Sequence, residues 1–251
     1  MAKKEETTVV VETKDQLPSY IKQGQNRGNE NVSSEDLQLP RIDLLQALSP
    51  QINKKKDEYI DGAEVGMLFN TLTHELYPEG VHITPVSFVK RYLVWVNRKE
   101  DSEGGLRGVF DTDAEAEQFV SEQEDESKLE IVPTAEHLVL LDDGSEVIVS
   151  MAKSKMKVSR KFNSLVRLNG GDRFSRRYKL TTVDDKGPKG EFQNLAISNA
   201  NYPSEKVYFA AESLYTAIAS GAKKQTAANY DGAVVDGGPA VDDEKDSKSE
   251  Y

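Results

Sequence analysis

The sequence predicts an α+β fold: one core domain on a bent, mostly antiparallel sheet with flanking helices, between disordered ends. Three observations predict it. Short apolar stretches of strand character alternate with turn signals along the middle of the chain. Residues 154–168 and 204–218 switch to a helical period. Both ends are poor in large apolar groups, so they cannot bury enough surface to offset their ordering entropy. Residues 1–36 are therefore expected as a flexible segment, 37–221 as the core and 222–251 as an acidic flexible tail. By analogy alone, the sheet is expected to close into a barrel like those of oligonucleotide-binding folds.

The elements follow in order. Leu39-Pro40-Arg41-Ile42 leads into Leu44, Leu45 and Leu48, with Pro40 suited to a first helical position and Ser49-Pro50 as a stop; this predicts a short helix. Gly66–Asn70 and Val81–Val96 read as strands, the second long enough to need a bend near Pro85. Thr112 and Glu115 form a capping box that opens a helix with Ala116, Phe119 and Val120 on its buried side. Leu138–Leu141 and Val147–Val149 flank the turn signal Asp142-Asp143-Gly144-Ser145, predicting a hairpin. From Ser154 to Leu168, Val158, Phe162 and Leu165 form an apolar stripe that Gly170 terminates. Arg173–Val183 and Gly190–Ser198 read as two strands. Ser204 caps a last helix carrying Val207, Ala211, Leu214 and Ile218.

Charge is unevenly placed. The chain's formal net charge is −11, yet residues 151–190 hold twelve Lys and Arg against three Asp, a local net of +9. The remaining residues carry 20 basic and 40 acidic groups. Residues 111–130 alone hold nine acids and one lysine. Such segregation predicts one face for a polyanion and repulsion elsewhere.

Within the basic segment, Lys153, Lys157, Arg160 and Arg167 fall at spacings of 4, 3 and 7 and would share a helix face. Read as one strand, residues 173–183 place Arg173, Arg177 and Lys179 opposite Phe174, Arg176 and Tyr178. Single-stranded nucleic acid needs cations for its backbone and flat groups for its unpaired bases, and this segment supplies both types. Phe162 and Phe174 are expected in the core. A second cluster runs through Lys90, Arg91, Tyr92 and Trp95, where the lone tryptophan is as well explained by packing as by base stacking. The nucleic-acid-binding candidates are thus Lys90, Arg91, Tyr92, Trp95, Lys153, Lys157, Arg160, Arg167, Arg173, Arg176, Arg177, Tyr178 and Lys179.

Other chemistries find little footing. There is no cysteine, so no disulfide, thiolate nucleophile or thiolate metal site can form. His74, His82 and His137 lack metal-ligand spacing, and no G-x-S-x-G elbow occurs. Gly104-Gly105 and Gly170-Gly171 match neither a Walker nor a dinucleotide fingerprint. The expectation is no catalysis, no cofactor, no metal and no membrane, in the cytoplasm, since Met1–Thr8 has no apolar signal core. The acidic tail, residues 231–251, has seven acids and two lysines and ends on Tyr251. It could occupy a basic groove, meet a partner, or only solubilise.

Several stretches resemble a group of tailed-phage proteins: Leu39–Pro50, Val65–Thr73, Tyr92–Trp95 followed by Glu103-Gly104-Gly105-Leu106, Lys157–Leu165 and Arg177-Tyr178-Lys179-Leu180-Thr181-Thr182. Within that group the chain resembles the Drc family of single-stranded DNA-binding proteins. These are DNA replication cofactors of podoviruses that package a virion RNA polymerase. The resemblance covers roughly residues 39–218. It implies single-stranded DNA rather than RNA, and roles in phage replication and middle transcription in the host cell cytoplasm. It also implies a phage RNA polymerase or replication proteins as partners, and a homo-oligomer. Two alternatives stay open: a polymerase-recruiting adaptor that does not touch DNA, and a metal-dependent nuclease.

Overall fold

In this computed structural model the described residues are 27–32, 38–97, 105–187, 190–223 and 230. The chain runs β1 (Ile42–Leu44), β2 (Leu68–Asn70), β3 (Leu76–Tyr77), β4 (Val81–Val96), β5 (Leu106–Phe110) and α1 (Asp113–Ser121). It continues through β6 (Leu129–Leu140), β7 (Glu146–Ala152), α2 (Met156–Asn169), β8 (Tyr178–Gly187), β9 (Gly190–Asn199) and α3 (Glu205–Ala219). The fold is α+β. β1, β2 and β3 form a small sheet, and the main sheet has the order β7-β6-β4-β8-β9, with β5 also paired to β4. All ladders between these strands are antiparallel.

β4 is the spine. Val81–Ile83 pairs with β8, and from Thr84 onward the strand pairs with β6. The β6 register shifts between Pro85 and Ser87, which leaves Val86 as the extra residue of a bulge. A proline cannot donate to a ladder, and a bulge bends its strand, so the expected bend at Pro85 is where β4 changes partner. Gly80, just before it, has φ +83°, and a Cβ there would meet the Leu180 carbonyl at 2.3 Å, so the β4–β8 approach requires glycine.

The sheet path is open rather than a closed oligonucleotide-binding barrel, because β7 and β9 do not pair. The small sheet stands between them. Ile148 N–H donates to the Pro40 carbonyl at 2.9 Å on one side, and Gln46 Nε2 donates to the Gln193 carbonyl at 2.7 Å on the other.

Alternation along β6 and β7 gives the main sheet two apolar faces. Ala135, Val139, Val147, Val149 and Met151 meet Val158 and Phe162 of α2. Leu138, Leu140 and Ile148, with Val86, Leu93 and Trp95, meet Val207, Ala211 and Leu214 of α3. Each large apolar side chain buried this way contributes about 1.5–3 kcal/mol, which is why the two amphipathic helices dock. The capping box at Thr112 and Glu115 starts α1, and Ser204 caps α3, both as the sequence predicts.

Two segments differ from expectation. Residues 39–48 do not form a helix; Ile42 and Leu44 point into the core around the outward Asp43 as β1, because pairing with Leu68–Asn70 outweighs helical spacing. Residues 173–183 are not one strand: Arg173–Ser175 is a 3-10 turn, and β8 begins only at Tyr178. Beyond residue 221, in the stretch expected as tail, Lys223 pairs with Glu146 at 2.7 Å and Tyr230 is buried. Residues 231–251 lie outside the described residues, as do Arg98, Gly104 and most of 1–36.

Candidate nucleic-acid interface

α2 forms because Val158, Ser159 and Phe162 recur on one side and are buried there, leaving Lys157, Arg160, Lys161, Ser164, Arg167 and Leu168 exposed. Lys157 is spoken for: its ammonium donates to Asp185 at 2.5 Å. That bond, with a second from Asn194, holds the Asp185 carboxyl down to about 2. Arg160, Lys161 and Arg167 have no carboxylate within ion-pair distance among the described residues. Lys153 does not share the helix face. It sits in the 3-10 turn before α2 with φ +48° and pairs with Glu130 at 3.1 Å.

Beyond the bulge, β4 sends Phe88, Lys90 and Tyr92 to the α2 side of the sheet, opposite His137, Ala135 and Pro133. Phe88 is 41% exposed, and Lys90 is exposed with its ammonium 4.8 Å above the Tyr92 ring. Val94 and Val96, farther along this face, are buried, and Phe110, opposite Tyr92 across the β4–β5 ladder, meets Phe119 of α1. Phe88, Lys90 and Tyr92 are therefore a strip left open between the basic α2 and the acidic α1.

Arg91 and Trp95 face the other way, toward the α3 side of the sheet. The Arg91 guanidinium is held between Glu136 and Asp111. Trp95 is 6% exposed and meets Tyr230 edge-on. The strand alternation expected over 173–179 fails with the strand itself. Phe174 packs among Tyr208 and Tyr215, and Tyr178 is 1% exposed against Phe162, so neither ring offers a face to a base. Burial of a large ring outweighs any surface alternation here. Arg177 donates to both Asp142 oxygens at 2.7 Å and to Asn201. Arg176 instead lies 5.1 Å above the ring of Tyr202, which is 69% exposed. Lys179 is half-buried, opposite His82 across the β4–β8 ladder.

Sequence reasoning missed Lys161, Phe88 and Tyr202 as candidates. Lys161 was legible as a further cation on the same outer helix face. Nothing in the sequence says that α2 stops short of Phe88 or that Arg176 reaches Tyr202.

Ser159 Oγ lies 2.8 Å from His137 Nε2, a spacing that resembles a nucleophile and its base. The other ring nitrogen decides the matter. Arg173 Nη2 is 2.8 Å from His137 Nδ1, and a guanidinium only donates, so Nδ1 accepts and the ring proton sits on Nε2. His137 then donates to Ser159 instead of taking its proton. Burial, with help from the Arg173 charge, pushes the imidazole down to about 3, so it is neutral at cellular pH. This pair does not activate Ser159. Among the described residues there is no group of three or more His, Asp or Glu side chains placed to hold a metal ion, and no helix long and apolar enough to cross a membrane.

A family model described as Pam3 phage gp34-like protein matches residues 7–224 of the chain. No curated protein and no solved structure matches it.

Proposed function

The chain belongs to the Pam3 phage gp34-like family, and from that premise we propose that this phage protein binds single-stranded DNA with little regard for sequence and does no chemistry on it. One observation carries the reading. Arg160, Lys161 and Arg167 project from one helix without carboxylate partners among the described residues, although the chain's net charge is −11. Three unpaired cations gathered on the exposed surface of one helix are available together to phosphates. The strip of Phe88, Lys90 and Tyr92 supplies an exposed ring in Phe88 and a half-buried one in Tyr92, flat groups being the second requirement of a single-strand site. α2 lies packed along the sheet, and among the described residues no helix stands out to enter a major groove.

The resemblance to the Drc family extends the proposal. It gives the protein roles in phage DNA replication and middle transcription, in the host cytoplasm, as a homo-oligomer that works beside a phage RNA polymerase or replication proteins. The adaptor reading has one observation in its favour: Phe209 and Tyr215 of α3 are 55% and 47% exposed, as rings that dock a protein would be. The two readings part on oligonucleotides. A salt-sensitive shift of a labelled single strand supports DNA binding, and no shift at low salt supports the adaptor.

A further inference from the structure

Arg173 is a largely covered guanidinium that lies over the rings of Phe88 and Phe162 and has no carboxylate beside it among the described residues. Arg41, Arg91 and Arg177, with side chains 8%, 11% and 18% exposed, each have a carboxylate within ion-pair distance. Arg173 has none among the described residues. Its Nη2 donates to two neutral acceptors, His137 Nδ1 at 2.8 Å and Asn163 Oδ1 at 2.9 Å, and its Nε–H is buried with no acceptor at all. A covered, unpaired cation is costly in a folded protein, and burial pushes this guanidinium down to about 10. Among the described residues its Nη1 has no acceptor, and unlike Nε it is not fully buried, so that edge of the fork is partly open.

That open edge lies beside an exposed ring. The Arg173 guanidinium carbon lies over the Phe88 ring, 5.7 Å from its centroid, so the two groups are neighbours within the reach of one nucleotide. Phe88 rests on His137, centroids 5.0 Å apart, and is 41% exposed. His137, locked by Ser159 and Arg173, thus fixes both groups from behind. Arg160 and Arg167 lie three residues before and four after Asn163, on the same side of α2 that bonds Arg173.

The geometry points to a single-nucleotide subsite at this corner, in which the face of Phe88 stacks on a base and the free edge of Arg173 takes the adjoining phosphate. The inference rests on the single-strand reading above and adds to it a fixed position for one nucleotide. The arginine is positioned by neutral partners because its counter-ion arrives with the ligand.

The test uses the full-length protein and a fluorescein-labelled oligo(dT), titrated at several salt concentrations. Phe88→Ala should weaken binding about tenfold at every salt, the effect of one lost stack, and leave the slope of log K against log salt unchanged. Arg173→Gln should flatten that slope by about 0.7, the share of one phosphate on a single strand. Arg173→Lys, which keeps the charge but not the fork, should keep the slope and lower the affinity. Phe88→Trp should lose indole emission on binding, over a constant background from the buried Trp95. Circular dichroism checks the fold, and if Arg173→Gln fails to fold, the lysine variant and the exposed Phe88 carry the result. Wild-type binding to oligo(dT) with unchanged Phe88→Ala and Arg173→Lys affinities overturns the subsite and leaves the single-strand reading standing. A wild-type protein that binds no oligo(dT) overturns both.

Discussion

The Tyr230 hydroxyl donates to Glu136 Oε1 at 2.6 Å, joining the end of the described chain to the centre of β6. Glu136 is completely buried, and Arg91 meets its other oxygen at 3.2 Å. Ser150 Oγ, 2.7 Å away, completes the shell of the Tyr230 hydroxyl, and Arg41 lies 4.9 Å over its ring. Burial and the Glu136 charge push this hydroxyl well above the usual tyrosine range, so it keeps its proton and remains a donor.

Tyr230 is therefore predicted to belong to the folding unit. Tyr230→Phe leaves a buried carboxylate short of a donor and should cost about 1.5–3 kcal/mol. Tyr230→Ala also empties the space beside Trp95 and should cost about 3–5 kcal/mol. Urea denaturation of both variants checks this. Removal of residues 224–251 should match the alanine variant, whereas removal of 231–251 should leave the midpoint unchanged.

The acidic stretch past Tyr230 is predicted to compete with DNA. Residues 231–251 carry seven acids and two lysines, and they are tethered at Tyr230 to a domain whose 151–190 segment has a net charge of +9. Deleting them should tighten binding to a single strand at 0.01 M salt, where the Debye length is about 30 Å, and do little near 0.15 M, where it is about 8 Å. Equal affinities at low salt would show that the tail does not visit the site.

Arg160, Lys161 and Arg167 should account for much of the salt dependence. Replacing all three by glutamine removes no ion pair among the described residues, so the melting temperature should hold within a few degrees. If each meets one phosphate, the slope of log K against log salt should flatten by about 2. Fluorescence anisotropy at four or five salt concentrations measures it.

Acid should unfold the protein partly through His137. Its folded value lies near 3 and its ordinary value near 6.5, so the unfolded chain takes up the proton first. Stability is full above about 6.5 and falls progressively as the pH drops toward about 3. His82 adds to the same trend, lowered by burial and by Arg177. Thermal melts between pH 7 and 5, above most carboxylate titrations, should show a steeper loss for the wild type than for His137→Gln.

Much of the frame was legible in residues whose pattern is local. The Thr112–Glu115 box, the Val158–Phe162–Leu165 stripe and the Val81–Val96 run with its proline each specify their element within a few residues. β1 was not legible, because Ile42, Leu44 and Leu45 suit a helix until β2 is there to pair. The site divides the same way. The cations of α2 follow from helical spacing, whereas the inward turn of Arg173 and the burial of Tyr178 depend on His137 and Phe162, which are distant in sequence. Tyr230 lies in a stretch of tail-like composition, and only the packed structure sets it against Glu136.

The central claim is tested most directly by titrating the protein, at one fixed low salt, against single-stranded and duplex DNA of equal length in a mobility-shift gel. The account predicts a shift of the single strand at protein concentrations that leave the duplex free. Equal or tighter binding of the duplex, or no shift of the single strand at all, would contradict it.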